Sequence, residues 1–177
     1  MTYDFHPIFV HFPIAFLTLY SIIKILPLTR WFPRVAWRDI ERVLLVFGFI
    51  GSIAALLTGE QAEELNRPPQ DIAEWHEFFA NTTIWLYGAL LAGEFLSFIR
   101  RFFSQSLGTI GAKWPSVIKT FRFLENLLTH NLFSKLIAVV ALGTLFLTGL
   151  LGGVMVYGTT ADPLAPFVLK ILGIDLW

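Results

Sequence analysis

The chain has 177 residues, enough for one domain, and its 13 basic and 13 acidic side chains balance, so no net field points to nucleic acid. Hydrophobic residues make up 55% and charged residues 15%, against about 25% charged in soluble chains, which places the chain in the membrane class. The absence of cysteine excludes disulfides, thiolate chemistry, cysteine-ligated clusters and covalent c-type haem attachment.

Four segments are apolar enough to span ~30 Å of hydrocarbon, which takes about 20 residues of helix. They cover residues 8–26, 40–58, 76–99 and 134–157. Helix is the expected form, because backbone groups in lipid must be paired within their own segment. The expected fold is therefore all-α, an integral membrane four-helix bundle forming a single domain over 1–177. Before the first segment there is no basic stretch, and no small-residue cleavage site follows it, so it is expected to remain as a mature helix.

The first segment opens with His6-Pro7-Ile8-Phe9-Val10-His11-Phe12-Pro13. Ionisable side chains at a membrane helix carry a cost that a partner or a task must offset. Pro7 suits the first helical position, with His6 at the cap. Pro13 lies inside the helix, where it either kinks the chain and tilts His11 into the bundle or sits as an ordinary membrane proline. The second segment carries a stripe of small residues, Gly48, Ser52, Ala55 and Gly59, and Thr58, Gly59 and Glu60 are expected to end it. An acidic loop follows with Glu60, Glu63, Glu64, Asp71, Glu74 and Glu77.

Trp75, His76 and Glu77 begin the third segment, with Asn81 a little over one turn further in. Gly88 and Ala92 give it a small-residue face. Glu94 is its one deep acid, positioned to snorkel or to pair with Lys24 or Arg42. Beyond Ile99 the chain turns basic. Between Ser104 and Ser134, a helix over 115–128 would set Val117, Ile118, Phe121, Leu124 and Leu128 on one face, with Lys119, Arg122 and Glu125 mostly off it. That pattern predicts a helix on the inner membrane surface, the other reading being an extension of the fourth helix. His130 is expected to serve at the entry to that fourth helix, which carries Gly149-x-x-x-Gly153 and closes on Gly152, Gly153 and Tyr157. Such small-residue faces let helix backbones approach closely in lipid. A weaker amphipathic segment occupies 163–177, and the tryptophans, Trp177 included, mostly fall near interfaces.

Eleven of the 13 lysines and arginines flank the loops after the first and third segments; only Arg67 and Lys170 lie on the other side. The positive-inside rule makes the basic side cytoplasmic and both termini external. Three of the four histidines, His6, His11 and His76, then gather at the outer face with Glu60 and Tyr157.

His11 and His76 stand at similar depth on different helices, as bis-histidine ligation of a b-type haem requires. Ala15 and Ala80, one turn inward of each, leave room for a macrocycle. The candidate cofactor-binding set is His11, His76, His6, Asn81 and Tyr157. His6, His11, His76 and Glu60 form an alternative metal-binding set of nitrogen and oxygen donors. A third reading gives the histidines a structural role across helices. No catalytic triad, phosphate loop or dinucleotide fingerprint is present, so the sequence supplies no enzymatic constellation.

The chain resembles the bacterial family called domain of unknown function 2231, on His6-Pro7-x-x-Val10-His11-Phe12-Pro13-Ile14-Ala15, on Thr58-Gly59, on His76 with Asn81, and on Gly152-Gly153-x-x-Val156-Tyr157. The resemblance implies a four-helix bacterial inner-membrane protein with a layout similar to b-type cytochromes, which usually carry haems at both faces. Histidine pairs occur at one face of this chain, so one haem b is the most it implies. Where relatives often continue past the tyrosine with a basic or histidine-containing stretch, this chain has Gly158-Thr159-Thr160-Ala161-Asp162. The expected function is a membrane subunit binding one haem near the outer face for electron transfer. The alternatives are a non-catalytic accessory subunit of a larger respiratory or photosynthetic complex and an outer-face metal-binding protein. Expected partners are membrane lipid and other membrane subunits, not nucleic acid.

Overall fold

A computed structural model describes residues 5–104, 107, 113–160 and 162–174. Every regular element among them is a helix: α1 His6–Ile25, α2 Leu28–Trp31, α3 Trp37–Asn66, α4 Gln70–Phe102, α5 Pro115–Thr129, α6 Asn131–Tyr157 and α7 Ala165–Ile171. The four long ones, α1, α3, α4 and α6, are apolar enough to cross a membrane. They form a closed ring in which α1 packs on α3, α3 on α4, α4 on α6 and α6 on α1. The fold is an all-α membrane bundle.

Each helix end has a local cause. Phe5 rather than His6 caps α1, with Pro7 in its first turn, where a missing N–H costs nothing. The α1 helix stops short of Pro27, and Lys135 of α6 donates to the end carbonyl of Ile25 at 3.3 Å. The α3 helix does not end at Thr58-Gly59 as its sequence suggests. It runs to Asn66, because Gln61-Ala62-Glu63-Glu64-Leu65 are good helix formers and Thr58 turns its hydroxyl back to Ala54 and Ala55 at 3.1 Å. Arg67 ends it in the left-handed region at φ 45°, and Pro68-Pro69 prevent continuation. The 30 residues of α3 and 33 of α4 give lengths of about 45 and 50 Å. Both exceed the ~30 Å hydrocarbon layer, and the surplus is the acidic stretch. A helical hairpin therefore stands clear of the bilayer at the acidic end.

The α1–α3 contact rests on small residues. Gly48 faces Leu17, and Gly51 faces the Pro13 ring, where an added Cβ would lie 3.0 Å from proline Cδ. Leu17, Tyr20, Leu45, Tyr87, Leu90, Ala138, Ala141 and Leu145 form the central core. Hydroxyls pair inside it: Ser21 with Tyr87 at 2.7 Å and Thr83 with Thr144 at 2.8 Å. In lipid each such bond contributes about 0.6 kcal/mol on average. Leu57, Trp85, Phe95 and Val140 lie outward, as expected where lipid is the solvent. Gly149 behaves differently from the sequence expectation: a Cβ added there meets nothing within 4 Å, so this part of the α6 glycine motif packs against no other helix among the described residues.

All four ion pairs among the described residues lie at the basic end. Glu94 meets Arg42 at 3.0 Å, Arg42 also meets Asp39 at 3.2 Å, Lys24 meets Glu41 at 3.1 Å, and Arg100 meets Glu125 at 2.6 Å. The α5 helix is separate from α6, broken at His130, which adopts an extended conformation as the α6 cap. It packs against α4 through Ile118 and Glu125, which are buried, with Phe121 and Leu128 partly so. Glu125 thus lies on the packed face and not off it, while Val117 and Leu124 face outward. The carboxylate explains the rotation: Arg100 and Ser97 of α4 bond it, and Gly93 makes room for Leu128. At the acidic end α7 covers α6 with Ala165 and Leu169, leaving Phe167 and Ile171 exposed. Trp177 and Ala161 lie outside the described residues.

Candidate functional site

Two of the outer histidines come to one side of the bundle. His6 in the first turn of α1 has its Nδ1 3.0 Å from the Thr58 hydroxyl of α3. His76, two turns into α4, has its Nδ1 3.0 Å from the Thr148 carbonyl of α6. Both rings lie at the acidic end of the bundle. All four membrane helices thus contribute at that end, two by an imidazole and two by an oxygen that holds it.

The oxygens fix the tautomers. A carbonyl only accepts, so His76 must donate its Nδ1–H to Thr148, and its neutral ring carries the lone pair on Nε2. The Thr58 hydroxyl donates to Ala54 and Ala55, so it accepts from His6 Nδ1–H. Glycine matters at Gly152 and not at Gly59, where an added Cβ would make an ordinary contact. A Cβ on Gly152 would lie 3.2 Å from His76 Cε1, and one on Gly59 would lie 3.7 Å from His6 Cε1. Gly152 follows Thr148 by one turn, so its bare Cα leaves the Thr148 carbonyl open to the ring.

His11 lies elsewhere. Five residues beyond His6, it is turned ~140° around the helix. It is exposed, and its Nδ1 bonds the Pro7 carbonyl of its own helix. Pro13 does not swing it inward; the buried Pro13 ring occupies the opposite face, against Gly51. Asn81 donates to Glu77 of its own helix, at 3.5 Å. Tyr157 is 75% exposed at the end of α6, and Glu60 is exposed on α3. Among the described residues no group of three or more histidines and carboxylates converges as a metal cluster would.

Sequence reading missed Thr148. Its role is a backbone carbonyl, which no side-chain pattern reveals. The one available signal was Gly152, a small residue at the depth of His76 on a neighbouring helix.

No curated protein and no solved structure matches the chain. A family model described as predicted membrane protein, DUF2231, matches residues 3–162, a span that includes His6, Thr58, His76, Thr148 and Gly152. The chain therefore belongs to the DUF2231 family of predicted membrane proteins.

Proposed function

We propose that this protein is a membrane subunit that holds one b-type haem at its acidic end, with His76 as one axial ligand and an α1 histidine as the other. The observation that supports this is the presence of two imidazoles from different helices at the same end of the bundle, each with Nδ1–H pinned to an oxygen of a third and fourth helix. Histidine ligands characteristically donate their second nitrogen in this way, which orients the ring and raises the basicity of Nε2. The donor set fits a bis-imidazole haem. His6 is the α1 histidine on the His76 side, and so it is preferred over His11 as the second ligand. When bound, such a group supplies a one-electron couple with both axial positions filled, which suits electron transfer. The chain's own residues would fix ring orientation through Thr58 and Thr148 and leave space for His76 through Gly152. In this reading the basic end faces the bacterial cytoplasm and the haem lies at the outer face.

Absorption spectra of protein purified after haem-replete expression test the reading. The expected result is a Soret band at one haem per chain, lost in His76→Ala and His6→Ala and kept in His11→Ala. Absence of the band in the wild-type protein refutes haem binding. Loss in His11→Ala with retention in His6→Ala moves the second ligand. Periplasmic and cytoplasmic reporters fused at the N-terminus test orientation.

A second reading, an accessory subunit of a larger membrane complex, has its own support. A groove between α1 and α6 is lined by Ile14, Thr18, Gly143, Phe146, Gly149 and Tyr157, and Cβ atoms added at Gly143 or Gly149 would touch nothing. A subunit of this kind co-purifies with its complex in mild detergent; recovery only as a free monomer counts against it. The outer-face metal reading has less support, since no three-ligand group converges among the described residues.

A further inference from the structure

We propose that the basic end carries a binding site for one anionic phospholipid, in the cavity between the end of α4 and α5. The cavity measures about 440 Å³, within the ~300–1,000 Å³ range of ligand pockets. Arg100, Arg122 and Asn126 supply its donors, Glu125 closes its depth, and Ile118 and Phe121 form an apolar wall.

The charges select the ligand. The Glu125 carboxylate is 4% exposed, and one of its oxygens accepts from Arg100 Nε at 2.6 Å and from Ser97 at 3.1 Å. That bond uses one of the five N–H donors of Arg100 and directs the rest of the guanidinium, half in solvent, towards the cavity. Arg122 is exposed and enters no ion pair among the described residues. Two guanidinium groups and one carboxylate leave one positive charge, which one phosphodiester neutralises. Guanidinium groups grip phosphate oxygens through paired N–H donors. A zwitterionic headgroup would bring a cation as well, and Glu125, the only carboxylate lining the cavity among the described residues, is already covered.

The apolar wall argues for lipid over a free anion. Beyond Ile118 and Phe121, α5 exposes Val117, Phe123 and Leu124, with Trp114 exposed just before it, an apolar surface on which an acyl chain can lie. Arg100 and Arg101 stand in the last turn of α4, where the helix leaves the span. Basic pockets of this kind, at the level of the headgroups, take anionic lipid.

Native mass spectrometry of the whole protein in detergent tests the site. Dioleoyl phosphatidylglycerol, dioleoyl phosphatidylcholine and inorganic phosphate are titrated separately, and phosphate is also added against bound phosphatidylglycerol. The expected result is one retained phosphatidylglycerol per chain, bound at least about tenfold more tightly than phosphatidylcholine. Arg122→Gln should weaken it by about tenfold, while Arg38→Gln, which removes the same charge from an exposed position on the same end, should leave it unchanged. Equal retention of the two lipids overturns the proposal, as does equal loss in both variants. Displacement of phosphatidylglycerol by millimolar phosphate also overturns it, because the ligand would then be the free anion.

Discussion

Substituting alanine at Gly48 and at Gly149 should separate packing from helix propensity. Both glycines lie inside long membrane helices, so the gain in propensity, up to about 1 kcal/mol, is common to both and cancels in the comparison. Their surroundings differ. At Gly48 the new Cβ would lie 2.6 Å from Leu17 Cδ2, 2.7 Å from Leu17 Cγ and 3.2 Å from Phe16 Cβ. Carbon atoms rest about 3.5–4.0 Å apart, so Leu17 must retreat by nearly 1 Å. It has nowhere to go, being wholly buried among Tyr20, Leu45 and Tyr87. Overpacking of this kind costs about 1–3 kcal/mol. At Gly149 the Cβ meets nothing within 4 Å. Gly48→Ala should therefore be less stable than Gly149→Ala by about 1–3 kcal/mol, or about 5- to 150-fold in the folding equilibrium. Reversible unfolding by dodecyl sulfate in mixed micelles, followed by far-ultraviolet circular dichroism, measures the difference. If the two variants shift stability in the same direction by the same amount, the close α1–α3 contact is wrong.

Gly152→Ala should press on the His76 ring 3.2 Å away and weaken haem retention by about tenfold or more, as disturbing a ligand's supporting hydrogen bond does; the Soret absorbance reads this against Gly149→Ala. Tyr87→Phe removes a hydroxyl bonded to Ser21 at 2.7 Å and to the Leu17 carbonyl at 3.3 Å. It should cost about 0.6–1.5 kcal/mol, and combining it with Ser21→Ala should cost less than the two separately. Glu125→Ala removes the shared acceptor of Ser97 and Arg100 and should cost about 1–3 kcal/mol. Because α5 alone loses its anchor, hydrogen exchange should rise in Pro115–Thr129 while the four spans stay protected.

The four spans and the helical class were legible because hydropathy is a property of composition over 20 residues, and lipid demands it. Sequence left Glu94 to snorkel or to pair with Lys24 or Arg42, and the structure selects Arg42, Lys24 going to Glu41. What sequence did not reveal is rotation. Whether His6 or His11 faces the bundle depends on how α1 seats on α3, and that is decided by Pro13 against Gly51 and Leu17 against Gly48. Neither contact has a signature in α1 alone. The lengths of α3 and α4 were hidden for a different reason: hydropathy marks where a helix leaves lipid, not where it ends in water. Glu125 was assigned to the wrong face because apolar side chains on α5 serve lipid as well as core, so the apolar stripe did not mark the packed side.

The length of α4 has a mechanical consequence. His76 and Arg100 sit 24 residues apart on one unbroken helix, about 36 Å along its axis. A rod of that kind transmits tilt and axial rotation with little loss. Whatever docks on the acidic tip and whatever grips the basic foot therefore push on the same lever. A rotation of α4 that re-aimed the His76 ring would turn Arg100 against Glu125 as well.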